Sequence, residues 1–595
     1  MRGQGRLPQP ATRGLSRLGT VALAVLIGGL LALPSGGAAQ QTPAPRDCLR
    51  MLGDIDLQTA TIPQLQAAMA QGRITSADLV RAFEARIAAY DTAGPKLNAV
   101  REVNPHALAQ ADALDAERAA GHIRGQLHGI PIMLKDNIDT VDEPTTAGSI
   151  ALEGSMPVRD ATVVERLRRA GAVILGKLNL SEFAQWISLN NPNGNSSLGG
   201  QVLNAYDRSG DPGGSSSGSG VAATMAFASV TLGSETSLSI LSPTKESSVV
   251  GIKTTVGMVS RAGVLPLAPD FDTVGPLARN VTDAATVLGA IAGPDPRDAK
   301  TAGATGKLPP HSDFAAGLHT DGLKGVRLAY SEADAQTLSG DSVTQWNAAL
   351  DRLRSLGATL VPIRSLDDQS ETPLGLIEIG SIPNEFKASF NQYLATETHP
   401  THGVHTLSDV IAYNSQHPDR VKYGQELLQI SDLTPGLTPL GTVQSAPIIL
   451  AAQAQAQVAL AEGQADAIIG PGYAHGRVGA AAGYPTVMVP LYSTDGGFSS
   501  IGLSFMGAAY SEAQLLDYAY AYEQASPRHL PPTDASRQLK PASCPVITTA
   551  AQRAAVAAKK AKKARKKCKS RARARGRHAA KRRAAPKCSR KRKHR

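Results

Sequence analysis

The segment "GIPIMLKDNIDT" (residues 129–140) contains a short apolar run that ends at Lys135. A second apolar run, "GAVILGKLNL" (residues 171–180), follows a stretch with helical spacing of its apolar residues. A strand, a helix and a strand in this order predict an α/β fold with a mostly parallel sheet.

The neighbouring regions extend this prediction. Before the first strand, "SADLVRAFEARIAAYD" has helical periodicity, with Ser76 as its predicted N-cap. After the second, residues 212–234 carry no charge. Their Gly/Ser-rich front predicts a loop, and their Ala/Val-rich back predicts a fully buried element. Residues 370–460 are predicted to be mainly helical, which suits a cap over a substrate pocket.

Charge is distributed unevenly along the chain. The formal net charge is +11, but the last 45 residues, from Ala551, hold 22 of the 61 Lys and Arg and no acid. The other 550 residues hold 39 bases against 50 acids, a net charge of −11. We therefore expect an acidic globular body with a basic, low-complexity tail (541–595), disordered in water because its like charges repel one another. Basic residues confined to one end, without interleaved aromatics, make a plain nucleic-acid-binding protein the weakest interpretation.

The N-terminus has the pattern of an export signal. Four arginines precede the uncharged stretch "LGTVALAVLIGGLLALPSGGAAQ" (residues 18–40), which ends in small residues. This pattern predicts a signal peptide over 1–40 and a linker over 41–56, and hence a secreted or extracytoplasmic protein. An uncleaved membrane anchor is the alternative, since the apolar stretch is barely long enough to span a bilayer.

The cysteine count agrees with export. There are four, Cys48, Cys544, Cys568 and Cys588. An even number in an exported chain predicts disulfides, for which three connectivities are possible. A Cys48–Cys544 bond would join the two ends of the body.

Several motif-based interpretations of the chain fail on their context. Residues 214–218 satisfy G-x-S-x-G, which would make Ser216 a nucleophile, but "NAYDRSGDP" before it cannot be a central strand. The same missing strand excludes a dinucleotide fingerprint, and no G-K-S/T phosphate loop occurs. HExxH is also absent, and we interpret His399, His402 and His405 as part of a solvated loop; no metal site is predicted.

Lys135 is the more promising candidate. A lysine at the end of an apolar strand is held in a low dielectric, which favours the neutral amine. A neutral lysine can take a proton from a serine hydroxyl, as in the Ser-Lys variant of the catalytic triad.

A series of long motifs in order gives the chain a family resemblance. "GIPIMLKDNIDT", "GAVILGKLNLSEFA", "DPGGSSSGSGVAA", "VVGIKTTVGMVSRAGVLPLAPDFDTVGPLARNVTDAA" and "AAGYPTVMVPL" together resemble the amidase signature family. Within it, "GSETSLSI" and "GGSSSGSG" look closest to the bacterial peptide amidase branch. The resemblance implies a large mixed β-sheet flanked by helices on both faces, an amidase domain over 57–540, and no cofactor.

The resemblance also assigns roles to individual residues. The family's catalytic lysine falls on Lys135, its bridging serine, which follows a cis peptide bond, on Ser215, and its acyl-forming nucleophile on Ser239. No histidine is needed in this scheme, and the sequence offers no persuasive His–Asp partner for either serine loop. The backbone N–H groups of Thr236, Ser237 and Leu238 are expected to hold the oxyanion.

The sequence departs from the family pattern directly before the expected nucleophile. Glycine usually stands there, whereas this chain has Ser237 and Leu238. Glycine suits a positive φ and a close approach of substrate to the backbone. If Leu238 keeps the conformation of the turn, we expect it to narrow the acyl side of the pocket. If it does not, the amide donors point away and the turnover rate falls.

The function implied is an exported, cofactor-free amidohydrolase that cleaves a small-molecule or peptide amide. The alternative is a catalytically impaired amidase-fold protein that binds anionic envelope polymers through its basic tail. The glutaminase-like subunit of a tRNA amidotransferase shares the fold, but an export signal is incompatible with cytosolic tRNA, so no tRNA partner is expected.

Overall fold

The computed structural model describes residues 47–366, 380–437, 439–493, 498–526, 529–535 and 539–578. The predicted signal peptide (1–40) lies outside these residues. An 11-stranded sheet runs through the described body. In spatial order its strands are Thr359–Ile363, Arg327–Ser331, Ala467–Pro471, Leu503–Met506, Thr486–Val489, Val250–Lys253, Thr273–Ala278, Val230–Glu235, Pro131–Lys135, Val173–Leu178 and Val100–Val103.

The sheet is mixed, as the family resemblance implies. The strand Pro131–Lys135 runs parallel to both its neighbours, Val173–Leu178 and Val230–Glu235. In the middle of the sheet, Val250–Lys253 is antiparallel to both neighbouring strands. The expectation of a mostly parallel sheet is therefore wrong: the strand-helix-strand pattern that prompted it describes one edge region, whereas the consecutive strands Val250–Lys253 and Thr273–Ala278 pair antiparallel.

Helices flank the sheet, and their apolar faces are buried against it. One correction concerns a helix start: Thr75, not Ser76, is the N-cap, with its side chain accepting from the amide of Asp78. The helices of the described body are Ile62–Ala70, Ser76–Arg86, Ala107–Ala119, Thr162–Arg169, Ser217–Thr224, Leu241–Glu246, Val281–Ile291, Asp341–Ser355, Ile382–Thr396, Leu407–Ser415, Glu426–Asp432, Pro439–Gly463, Gly476–Ala482, Glu512–Ala525 and Pro532–Ala535.

The region expected to form a helical cap is helical where it is described. Residues 370–379 and 438 of it lie outside the described residues. The helix Ile382–Thr396 packs on the body through aromatic rings: Phe390 and Phe386 lie with their ring centroids 5.5 and 6.0 Å from that of Phe183. Its Tyr393 hydroxyl also donates to Asp139, four residues beyond Lys135, at 2.7 Å. These contacts fix the helical region over the end of the Lys135 strand.

The start of the chain's described part is packed rather than linker-like. Asp47 pairs with Arg86 at 2.8 Å, and both side chains are fully buried. Cys48 is bonded to Cys544, so the two ends of the body are covalently joined. The assignment of 41–56 to a linker therefore does not describe residues 47–56, because their buried ion pair and disulfide hold them on the body.

The basic tail also differs from its expected disorder. Ala550–His578 forms one helix, and residues 579–595 lie outside the described residues. Its first turn is anchored: Asp78 accepts from the amide of Ala550 and from Arg553, both at 2.8 Å. Alanine, lysine and arginine have high helix propensity, and an anchored first turn removes much of the cost of nucleation. Among the described residues, no helix has the length and apolar character needed to cross a membrane.

Candidate active site

Lys135 ends a strand in which every residue is buried. Its Nζ donates to Ser215 Oγ at 2.8 Å, to Ser234 Oγ at 3.0 Å and to the Ser234 carbonyl at 3.2 Å. Burial lowers the pKa of Lys135 to about 7, because desolvation of the ammonium outweighs its attraction to Asp272 and Glu235. A large fraction of the amine is thus neutral near pH 7 and able to accept a proton from Ser215.

The glycine- and serine-rich loop holds Ser215 against this lysine. The Gly214–Ser215 peptide is cis. The carbonyl of Ser215 accepts from the amide of Ser181 at 3.0 Å. A Cβ on Gly214 would lie 2.3 Å from Asn193 Oδ1, so only glycine allows this close approach.

Ser216, the candidate of the G-x-S-x-G interpretation, has a different environment. Its side chain is fully buried, and its hydroxyl donates to the carbonyl of Ser234 at 3.0 Å. No strand directly precedes it. This serine fastens the loop to the strand Val230–Glu235 and does not face the cavity described below.

The turn that carries Ser239 begins where the strand Val230–Glu235 ends. The carboxylate of Glu235 accepts from the amides of Ile240 and Leu241, at 2.6 and 3.0 Å. These are the last residue before the helix Leu241–Glu246 and its first residue. Glu235 therefore closes residues 236–239 into a tight turn at a helix start.

Two further contacts fix this turn. The hydroxyl of Thr236 donates to Asp272 Oδ1 at 2.5 Å. The carbonyl of Ser239 accepts from the amide of Ser216 at 3.2 Å, which joins the turn to the loop of Ser215. The structure thus brings Lys135, Ser215 and Ser239 together from three distant segments.

Leu238 occupies the conformation that glycine would favour. Its φ is 65°, in the left-handed region. Its side chain points to the helix Gly476–Ala482: a Cβ on Gly476 would lie 2.6 Å from Leu238 Cδ2. The turn is therefore retained with leucine in it, at a position where the facing residue has no side chain.

A cavity of about 880 Å³ opens over Ser215 and residues 236–239. The helical region described above contributes Ile382, Leu427 and Gln455 to its wall. Among the described lining residues the ionisable side chains are Lys245, Tyr473, His475 and Arg477, and none is a carboxylate.

One polar pair in this wall was not predicted from the sequence. His475 Nε2 lies 2.8 Å from Asp334 Oδ2, and both side chains are buried. The expectation that no His–Asp pair accompanies the serine loops is therefore wrong. The two residues are 141 positions apart, so no local spacing could have revealed the pair.

The three histidines at 399, 402 and 405 do not form a metal site. The ring of His402 lies against Tyr413, with the centroids 5.0 Å apart. Over the described part of the chain, no group of three or more His, Cys, Asp or Glu side chains is arranged to hold a metal ion.

Comparison with known proteins gives consistent matches. A family model described as Amidase matches residues 78–426. A protein of Arabidopsis thaliana described as a probable amidase is 38% identical over 81% of this chain and 93% of its own length. The structure of native peptide amidase from Stenotrophomonas maltophilia superposes with a TM-score of 0.73, at 40% identity, over 80% of this chain and 98% of that chain. A subunit of the glutamyl-tRNA(Gln) amidotransferase from Anaeromyxobacter sp. (strain K) is 45% identical over 50% of this chain and 58% of its own length.

Proposed function

The chain belongs to the amidase family, and from this premise we propose that it hydrolyses an acyl or C-terminal peptide carboxamide through a Ser-Ser-Lys mechanism. Membership alone makes it an amide-hydrolysing enzyme. The observation that carries the finer proposal is the 2.8 Å hydrogen bond between buried Lys135 and Ser215, beside the cavity that contains Ser239.

Acylation is the first half of the proposed reaction. Ser239 Oγ attacks the amide carbon and gives its proton to Ser215, whose own proton passes to Lys135 Nζ. The tetrahedral adduct then collapses as its C–N bond breaks. The proton on Lys135 returns through Ser215 to the leaving nitrogen, which yields ammonia or an amine and an acyl ester on Ser239.

Deacylation repeats the same proton path with water. A water molecule attacks the ester carbon, and its proton passes through Ser215 to Lys135. When the adduct collapses, that proton returns to Ser239 Oγ and the carboxylic acid leaves. No group other than these three side chains and water exchanges protons in the cycle.

The oxyanion is held, in this proposal, by the backbone N–H groups of Thr236, Ser237 and Leu238. Glu235 supports this role, because it occupies the two following amides and so fixes the curvature of the turn. A well-aimed donor of this kind contributes about 3 kcal/mol to the stabilisation of the transition state.

The acyl side of the site is narrowed by Leu238. Its side chain lies between the turn and Gly476, in the wall of the cavity. We therefore propose a substrate whose acyl part is slender next to the scissile carbonyl. The likeness to a peptide amidase over almost the whole of that protein supports a C-terminal peptide amide as the substrate class.

A role in tRNA-dependent amidation is not proposed. The matched amidotransferase subunit is covered over 58% of its length, whereas the peptide amidase is covered over 98%. Full-length similarity thus favours the free-standing hydrolase.

The experiment is a product assay on the full chain. N-acyl dipeptide amides, short aliphatic amides and benzamide are supplied separately, and ammonia and free acid are both quantified. We expect the two products in equal amounts from at least one amide, with loss of activity in Ser239→Ala. Ammonia release no faster than that of Ser239→Ala across the panel would contradict the proposal and favour the impaired, envelope-binding alternative.

Export is part of the proposal. It is supported by the sequence of residues 1–40 and by the Cys48–Cys544 bond, which is typical of oxidising compartments. N-terminal sequencing of the protein from producing cells tests it. A mature N-terminus near residue 41 outside the cytoplasm is the expected result; an intact Met1 on a cytosolic protein contradicts it, and an intact Met1 in the membrane fraction indicates the uncleaved anchor.

The basic helix is proposed to bind an anionic envelope polymer. Its side chains from Ala551 to Lys567 are exposed, and six lysines and two arginines lie among them. Co-sedimentation with poly(glycerol phosphate) at low and high salt tests this, with a variant in which the Lys and Arg of 559–567 are replaced by Gln. Binding that is lost both in the variant and at high salt is expected; equal binding by the variant would refute the role.

A further inference from the structure

A second, smaller cavity lies apart from the candidate active site. Its volume is about 200 Å³. It is bounded by the helices Asp341–Ser355 and Glu512–Ala525 and by the connection at residues 490–492. The residues that line it are Asp341, Thr344, Gln345, Ala348, Ala349, Arg352, Pro490, Leu491, Tyr492, Tyr522 and Ser526.

The amide of Gln345 is the unusual feature of this cavity. The residue is 6% exposed, yet neither its Oε1 nor its Nε2 has a hydrogen-bond partner. Burying an amide without a partner costs about 1–3 kcal/mol. The next residue, Trp346, is 1% exposed and anchors the helix, so Gln345 cannot easily turn out to water.

The charged residue of the wall nearest in kind to a ligand partner is already engaged. The guanidinium carbon of Arg352 lies 5.8 Å from the centre of the Tyr522 ring, a cation–π distance. Asp341, at the start of the helix, is exposed. Recognition inside the cavity therefore falls to the neutral amide of Gln345 and to the apolar surfaces of Ala349, Pro490 and Leu491.

We propose that this cavity binds a small primary carboxamide, with its amide paired to that of Gln345. A carboxamide places one N–H donor and one carbonyl acceptor side by side, so two antiparallel hydrogen bonds satisfy both atoms of Gln345. A carboxylate has no donor and would leave Gln345 Oε1 unpaired. Cavities of about 150 Å³ bind a benzene ring, so this one has room for a small aryl or short-chain amide.

The site is separate from the catalytic cavity but close to it along the chain. Leu491 lines the second cavity, and its carbonyl accepts from the amide of Ile501 at 2.9 Å. Ile501 lines the first cavity. The proposal does not rest on the catalytic roles of Lys135, Ser215 or Ser239.

The test uses the full chain with Ser239→Ala, so that the probe is not consumed. Benzamide is titrated calorimetrically, and crystals are soaked in it. We expect benzamide in the soaked crystal with its amide on Gln345. We also expect a binding component that weakens at least tenfold in Ser239→Ala/Gln345→Leu, which keeps the volume and removes the amide.

A second variant guards against misfolding. Ala348→Trp places a ring over the cavity from an exposed position, and it should abolish the same component. Isotherms that do not change in either variant would overturn the proposal. Benzoate binding as tightly as benzamide at this site would also overturn it, since that result would assign recognition to charge and not to the Gln345 amide.

Discussion

Lys135 Nζ lies 2.8 Å from Ser215 Oγ, and neither side chain is more than 1% exposed. A lysine so placed has lost most of its hydration, and its nearest neutral partner is the serine hydroxyl. The pair is therefore built for proton exchange and not for charge display on the surface.

Two adjacent serines should respond very differently to substitution. Ser215→Ala removes the hydroxyl between Lys135 and the turn of Ser239, and we expect kcat to fall about 10³-fold or more. Ser216→Ala removes only a hydrogen bond to the Ser234 carbonyl, so it should cost about 1 kcal/mol of stability and change kcat by less than about tenfold. Steady-state kinetics and thermal unfolding of the pair check this. Equal losses of kcat would mean that Ser215 has no special role.

The reaction should depend on pH through Lys135. Because burial lowers its pKa to about 7 and the neutral amine is the reactive form, the rate should rise with pH up to about 7 and level off above. Labelling by a neutral fluorophosphonate reports this without ionisation of a substrate, and Ser216→Ala is the matched control. A rate independent of pH between about 5.5 and 8.5 would contradict the assignment.

The same shift has a consequence for stability. The pKa of Lys135 falls from 10.5 to about 7 on folding, so the unfolded chain binds more protons between these values. The contribution of Lys135 to the free energy of unfolding therefore rises as pH rises through this window. In denaturant titrations Lys135→Met should flatten that part of the pH dependence; an unchanged slope would place the titration elsewhere.

The contact between Leu238 and Gly476 can be measured as a coupling. Gly476→Ala should destabilise the protein by about 1–3 kcal/mol, because its Cβ would lie 2.6 Å from Leu238 Cδ2. In the Leu238→Gly background the same change should be tolerated, giving a coupling of at least about 1 kcal/mol. Leu238→Gly alone should also widen the range of acyl groups accepted. Additive effects, with no change in acyl preference, would show that Leu238 does not shape the pocket.

The disulfide should contribute to stability over a very long loop. Cys48 and Cys544 are 496 positions apart, and their bond restricts the unfolded chain. Cys48→Ser/Cys544→Ser should lower the free energy of unfolding by about 2–5 kcal/mol. Thermal unfolding of the oxidised protein, the reduced protein and the double variant checks this. A transition that does not move on reduction would mean that the bond is not formed in the protein as produced.

Local patterns in the sequence predicted the parts of the molecule that local physics decides. The apolar strand ending at Lys135 is buried throughout, and the uncharged segment 212–234 forms a loop, a buried helix and a buried strand. The positive φ at Leu238 follows from the preference for glycine at that point. In each case the residues that determine the structure are neighbours in the sequence.

The features that the sequence did not reveal depend on contacts between distant segments. The antiparallel middle of the sheet and the His475–Asp334 pair arise from such contacts. The ordered tail helix depends on Asp78, 472 residues upstream of Ala550. Residues 47–56 are held by Arg86 and Cys544, which no linker-like composition could indicate.

The central claim is that Ser239 is the nucleophile and Lys135 its base, and site-specific labelling tests it most directly. The mature protein is treated with a fluorophosphonate and analysed by intact mass and peptide mapping, beside Ser239→Ala, Lys135→Ala and Ser216→Ala. We predict one adduct on Ser239, absent from the first two variants and retained in the third. An adduct on another serine, or no adduct on the folded wild-type protein, would contradict the claim.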